Sequence, residues 1–281
     1  MLRLMLSLMG LGVLCMGTIR AEAAMVQNWV VSWTGAVQGP YPAGNATAQP
    51  DLSFVFPQPE QGATDQSFRM IVRPDIWGRE ARFRLSNAFG TRPVTVTGAH
   101  LGLQVAGAAL LPGSNRTATF NGRSSVTVPP GGSVWTDTIA LSFVRDPSDP
   151  MLAGRKLAIS VHVAGGSGPM TWHAKGLQTS YLAQPGAAHT EDETEAAFPY
   201  STTSWFFVDA VAVTAPPATR AIVAFGDSIT DGTASTINGD DRWPDVFARR
   251  MHAAHGQRFA VVNQGIGGNQ VVGPAEYTPA R

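Results

Sequence analysis

The hydrophobic pattern of this chain changes period once, and that change limits the possible folds more than any other feature. Upstream of Ala215-Pro216-Pro217-Ala218-Thr219, apolar and polar residues alternate; downstream, apolar residues run continuously and then fall at helical spacing. Arg82-Phe83-Arg84-Leu85 alternates, and so does Lys156-Leu157-Ala158-Ile159-Ser160-Val161-His162-Val163. Period two buries one face of a strand and leaves the other in water. Further strands are predicted over Trp29–Trp33, Phe68–Val72, Val94–Leu103, Val134–Phe143 and Ser204–Val213. Asn87-Ala88-Phe89-Gly90, Pro129-Pro130-Gly131-Gly132 and Gly165-Gly166-Ser167-Gly168-Pro169 supply turns between them. Short antiparallel strands with such turns predict a β-sandwich or jelly roll over residues 25–214.

Residues 215–220 read as a linker, because proline stiffens a chain and cannot join a central ladder. Ala221–Phe225 is then predicted as a short buried strand, followed by Gly226-Asp227-Ser228 and a loop rich in Gly, Asp and Asn. A helix is predicted over Trp243–His255. Trp243, Val246, Phe247 and Met251 share one stripe, and Pro244 suits the first turn. Phe259–Val262 reads as a second buried strand leading into Asn263-Gln264-Gly265-Ile266-Gly267-Gly268-Asn269. Strand, loop, helix, strand opens a parallel α/β sheet. The length of 281 residues suits two domains, so the expected class is α+β, with the α/β part over residues 221–281.

Composition removes several functions. Lys plus Arg equals Asp plus Glu at 20 each, which argues against nucleic acid as the main partner. Cys15 is alone, so no intramolecular disulfide and no thiolate zinc site is possible. The six histidines are scattered. His252 and His255 could share a helix face, but no third ligand is spaced nearby, and a solvated face is expected rather than a metal site. Arg3, the apolar run Leu4 to Gly17 and Ala21-Glu22-Ala23 predict a cleaved secretory signal over residues 1–24. The mature chain is then secreted or periplasmic, with no stable membrane span. Asn45-Ala46-Thr47 and Asn115-Arg116-Thr117 fit the N-glycosylation pattern, and Glu191-Asp192-Glu193-Thr194-Glu195 reads as a solvated acidic loop.

Ser228 follows a predicted strand at the edge of a parallel sheet, where open α/β folds place their crevices. A hydroxyl there can attack an acyl carbon if a base takes its proton. Its own N–H, and that of Gly268 after the next strand, are candidate donors to the oxyanion. A serine that merely caps the next segment fits the same spacing. Thr230 stands where a G-x-S-x-G elbow needs its second glycine. The Gly-Lys-Ser/Thr ending of a phosphate loop is missing.

The stretch Ala221-Ile222-Val223-Ala224-Phe225-Gly226-Asp227-Ser228-Ile229-Thr230-Asp231-Gly232 resembles the first block of the GDSL, or SGNH, hydrolases. Asp241-Arg242-Trp243-Pro244 is similar to the stretch after that block in secreted members, and Val261 to Asn269 looks like the second block. Trp29–Trp33 and Arg82–Gly90 resemble a β-rich N-terminal domain of one secreted branch. The resemblance implies a flavodoxin-like α/β/α domain hydrolysing acyl esters on carbohydrates or lipids, with no metal or organic cofactor. It implies Ser228 as nucleophile and first oxyanion donor and Gly268 as second donor. Gly226 and Asp227 would support the motif, with Asp227 holding the loop.

Two family blocks are missing. The sequence has no Asn-Asp dipeptide, and no Asp is followed three positions later by His. The α/β stretch is also shorter than a three-layer domain of roughly 150 residues. The expectation is therefore the N-terminal part of a longer hydrolase, without its general base. The competing expectation is a carbohydrate-binding β module with a non-catalytic α/β remnant. Trp29, Trp33, Trp77, Trp135, Trp172 and Trp205 all lie in the β region, where indoles either stack on sugars or fill the core.

Overall fold

The computed structural model describes residues 28–42 and 51–272. The segment 1–24 expected to be a signal, with Cys15, and the Asn45 pattern lie outside the described residues. The first strands in chain order are β1 (Trp29–Thr34), β2 (Gln38–Tyr41), β3 (Thr64–Val72), β4 (Glu80–Ser86), β5 (Val94–Ala106) and β6 (Ala109–Leu110). Next come β7 (Arg116–Thr117), β8 (Val126–Val128), β9 (Ser133–Trp135), β10 (Ile139–Ala140), β11 (Leu157–Gly166) and β12 (Met170–His173). The chain continues through β13 (Ser180–Leu182), β14 (Tyr200–Thr202), β15 (Trp205–Phe206), β16 (Val208–Thr214) and β17 (Arg220–Gly226). The last described elements are α1 (Ser228–Asp231), α2 (Trp243–His255) and β18 (Phe259–Gly265).

Three antiparallel sheets are built from β1 to β16. One runs β1-β16-β4-β10, with β9 also on β4. A second runs β14-β13-β3-β11-β5-β6, with β7 and β8 also on β5. The third is β15-β12-β2. Phe83, Leu85, Val211 and Val213 of the first sheet share one core with Phe68, Met70, Leu101, Ile159 and Val161 of the second. This β-rich arrangement is compatible with a β-sandwich.

The alternation predicted for Arg82–Leu85 appears as expected: Phe83 and Leu85 are buried, while Arg82 and Arg84 are part-exposed. In β11 the outer face is buried as well: His162 and Ser160 bond to Ser67 and Arg69 of β3, which are bonded in turn to Ala187, His189 and Thr194. There the buried Arg69 guanidinium donates to Ser160 Oγ and to the carbonyls of Ala108 and Asp192. Burial lowers the Arg69 pKa to about 10, against the opposing pull of Asp192 and Glu193. The acidic run is therefore not simply solvated: the Glu193 carboxylate accepts from Gly113 N at 2.9 Å. Asn115 of the second glycosylation pattern donates its amide to the Thr190 carbonyl.

Two predicted strands are broken. Val134–Phe143 yields only β9 and β10, because the Asp137 carboxylate accepts from Thr119, Asn121 and Gly122 and draws the chain out of the ladder. Ser204–Val213 splits at Phe207, whose φ of 60° hands the chain from the third sheet to the first. Of the six tryptophans, Trp33, Trp77, Trp172 and Trp205 are buried. Trp29 and Trp135 are part-exposed, with the Arg82 guanidinium against both rings.

Strands β17 and β18 pair in parallel, from Arg220 opposite Phe259 to Gly226 opposite Gly265. Arg220, placed in the linker by sequence, opens the first of them. β17 is not buried as its apolar run predicts: Val223 and Phe225 are 57% and 72% exposed. Helix α2 has the predicted bounds, but its buried residues are Pro244, Asp245 and Ala248 rather than the predicted stripe. The ion pairs of Asp245 set that rotation. Among the described residues no helix is long and apolar enough to cross a membrane.

The parallel pair is seated on the antiparallel sheets mainly by polar bonds. Thr34 Oγ1 donates to the Asn263 carbonyl at 2.7 Å, and Val261 N donates to Asp75 Oδ2 at 2.6 Å. Arg73 reaches Asp245 at 2.8 Å and Asp240 at 3.3 Å, and Lys156 meets the other oxygen of Asp240. Ala260 is the apolar link, joining the core of the sheets.

Candidate active site

Gly226 closes β17, and only glycine fits there, because a Cβ would overlap the Thr230 hydroxyl. The chain then turns abruptly. Asp227 is the N-cap of α1, and its carboxylate accepts from Ile229 N at 2.9 Å, satisfying one of the helix's free donors. Ser228 is thereby the first residue of a single helical turn and is half-buried. That turn closes at Gly232, whose φ of 104° requires glycine; its N–H and that of Thr233 donate to the Ser228 carbonyl.

The second loop lies directly against this turn. Gly265 ends β18 where a Cβ would overlap the backbone nitrogen of Asp231. Ile266 N donates to the Gly226 carbonyl at 3.1 Å, and Gly267 N to Asp231 Oδ2 at 3.0 Å. Asn263 adds a bond from its side-chain amide to the Thr230 carbonyl at 2.7 Å. Gly268 comes next, with φ 78°, and is half-buried. The two loops named by sequence are therefore adjacent. Among the described residues, no hydrogen bond occupies the Ser228 hydroxyl or the N–H groups of Ser228 and Gly268. Beside them is an open depression of about 720 Å³, walled by Phe225 to Asp227 and Asn269 to Val272.

The histidines lie elsewhere. His252 is not on a solvated face: its Nε2 is 3.2 Å from Asp75 Oδ2 and 3.1 Å from the Phe259 carbonyl. The bond to Asp75 raises its pKa above the ordinary value, against the effect of partial burial. His255 is exposed, with its ring edge against Phe259. His100, His162 and His189 bond to Thr117, Ser67 and Asp192. None of the six bonds to Ser228. Among the described residues no cluster of three or more His, Cys, Asp or Glu side chains forms a metal site.

Sequence reasoning missed one partner of this site. His173 on β12 is buried, with Nε2 3.0 Å from Asp231 Oδ1 and Nδ1 2.6 Å from the Ala36 carbonyl. Asp231 and His173 are 58 positions apart, so no spacing rule connects them. Asp231 lies inside the first motif block, but nothing in its neighbours marks it as paired.

No curated protein matches the chain. Residues 222–278, from within β17 past the Gly268 loop, match the model of the family described as GDSL-like lipase/acylhydrolase. The turn of Ser228, the loop of Gly268 and most of the two strands fall in the matched stretch, so it is in this part that the chain is similar to the GDSL-like lipase/acylhydrolase family.

Proposed function

We propose that the chain carries the nucleophile-bearing part of a secreted or periplasmic serine esterase that cleaves acyl esters of a carbohydrate or lipid. The observation behind this reading is that the Ser228 turn and the Gly268 loop are bonded to each other, while among the described residues no hydrogen bond occupies Ser228 Oγ or the two N–H groups. In this reading Ser228 Oγ attacks the acyl carbon. The N–H groups of Ser228 and Gly268 then take the developing oxyanion, each contributing about 3 kcal/mol in the transition state. The alcohol leaves with a proton, and water releases the acid from the acyl-enzyme. Asp227 acts by capping the turn, and Gly226 by allowing it. The parallel pair is the opening of a flavodoxin-like sheet, and residues 25–214 form the preceding sandwich domain.

None of the six histidines bonds to the Ser228 hydroxyl. A serine without a base is a poor nucleophile. The polypeptide of this sequence is therefore expected to turn over 4-nitrophenyl acetate no faster than its Ser228→Ala variant. Ser228-dependent turnover would instead place the base among those histidines. Acetylation tests the nucleophile itself: with imidazole as external base, 4-nitrophenyl acetate should leave one acetyl group on Ser228, mapped by peptide mass spectrometry. Labelling of Ser228 no faster than that of exposed serines would overturn the reading.

A further inference from the structure

His173 lies in the β-rich sheets, outside the matched family segment, yet its ring ends on the motif turn. The Ala36 carbonyl can only accept, so the ring nitrogen 2.6 Å from it carries a proton. The other nitrogen faces Asp231 Oδ1 at 3.0 Å, again an acceptor when the carboxyl is ionised. With that carboxyl ionised, the ring has acceptors on both sides and is an imidazolium. It is stacked on Trp205, with centroids 5.4 Å apart and planes 27° apart, and is fully enclosed. The second oxygen of Asp231 accepts from Gly267 N at 3.0 Å, one residue before Gly268.

We infer that His173 is a positioning residue: its imidazolium fixes Asp231, and Asp231 holds the Ser228 turn and the Gly268 loop at a set separation. The inference rests on the reading of those two residues as nucleophile and donor. A buried carboxylate bonded on both oxygens cannot rotate without breaking a bond to one loop or to the sheets. The antiparallel sheets therefore set the geometry of a site whose reacting groups all lie after residue 220. The charged groups bearing on His173 are Asp231 from α1 and Arg242 just before α2. Burial and Arg242 oppose the proton, but Asp231 and the Ala36 carbonyl outweigh them, so the pKa is raised above its ordinary 6.5. The pair is thus complete below the ordinary histidine midpoint and is lost as pH rises through the raised one.

The test is ring nitrogen NMR on the ¹⁵N-labelled full chain across pH, together with amide exchange at Gly267. Both ring nitrogens of His173 should stay protonated above the midpoint of free imidazole, and Asp231→Asn should lower that midpoint. Gly267 N–H should exchange about tenfold faster in His173→Gln, with the β11 amides unchanged. In the wild type that extra exchange should appear as the ring titrates. A ring that titrates no higher than free imidazole, or unchanged Gly267 protection in a folded His173→Gln, would overturn the inference. If His173→Gln does not fold, the wild-type titration and Asp231→Asn decide it. Neither measurement reads turnover. Failure of Ser228 to acetylate leaves the pair standing, and a neutral His173 leaves the acetylation result untouched.

Discussion

The antiparallel sheets and the parallel pair bury their strands in different ways. In β3, β4, β11 and β16 the core-facing side chains share one core, so that Phe68, Phe83, Ile159 and Val211 have no exposed surface. In β17, Val223 and Phe225 face outward among the described residues, and Ala224 is the only buried residue of the strand. The pair is held in place largely by polar groups: Arg73, Asp75, Lys156 and His173 on one side, and Asp240, Asp245, Val261 N and Asp231 on the other. Apolar burial is non-directional and gives stability, whereas hydrogen bonds and ion pairs fix orientation. The sheets therefore supply the rigid body, and the polar seam decides how the Ser228 and Gly268 loops stand on it.

The largest expected effect lies inside the sheets. Phe206 contacts the rings of Tyr41, Phe56, Phe68 and Trp172 and is fully buried. Phe206→Ala should lower unfolding stability by about 3–5 kcal/mol, measured by denaturant titration followed by tryptophan fluorescence. A loss below 1 kcal/mol would mean that this core is less well packed than its burial implies.

Arg73→Ala addresses the seam. It leaves Asp240 and Asp245 without their shared cation, at a cost of about 2 kcal/mol allowing for the residual exposure of these groups. Hydrogen exchange should rise in α2 and β18 while β3 and β11 keep their protection. Equal loosening of both parts would erase the comparison. Gly265→Ala should have a similar, more local effect of about 1–3 kcal/mol, because the added methyl would lie 2.1 Å from the Asp231 backbone nitrogen. A structure or chemical-shift map should place the change at residues 226–232.

The seam should also respond to pH. Asp75 raises the His252 pKa, so that contribution is whole below about 6.5 and is lost as pH rises through the raised midpoint. At the acid end, burial pushes the Asp245 carboxyl up, but Arg242 and Arg73 outweigh it and hold it below the ordinary range. Its contribution is therefore present above about 3.8 and fades only as pH falls through the lowered value. Exchange in α2 should accordingly be slowest, after correction for intrinsic rates, between these limits. His252→Gln should flatten the alkaline side. The smallest effect belongs to the exposed face: Phe225→Ser should change stability by no more than about 0.5 kcal/mol. A larger loss would show that Phe225 is covered in solution.

Much of the fold was readable where one local rule acts alone. The alternation in Arg82–Leu85 and the helix over Trp243–His255 follow from side-chain periodicity, and both are present. The rule failed where a distant group intervened. Asp137 collects three donors and breaks the strand expected over Val134–Phe143. Arg73 and Arg242 hold Asp245 and turn the helix so that Asp245, not the apolar stripe, faces inward. At the candidate site, Ser228 and Gly268 were named because each follows a predicted strand, and Gly226 and Asp227 through the resemblance of the block around them. His173 was not, because its link to Asp231 crosses from one sheet to another.

The sequence by itself determined the change of period near Ala215, the two strand-to-loop transitions that carry Ser228 and Gly268, and the absence of any Asp-x-x-His spacing. Each of these is a property of neighbouring residues along the chain. The tertiary structure alone decided which tryptophans fill the core, which face of α2 is buried and which histidine meets the motif turn. Those outcomes depend on groups brought together from remote positions. Burial makes their pairing strong, because a polar atom removed from water must find a partner within the protein.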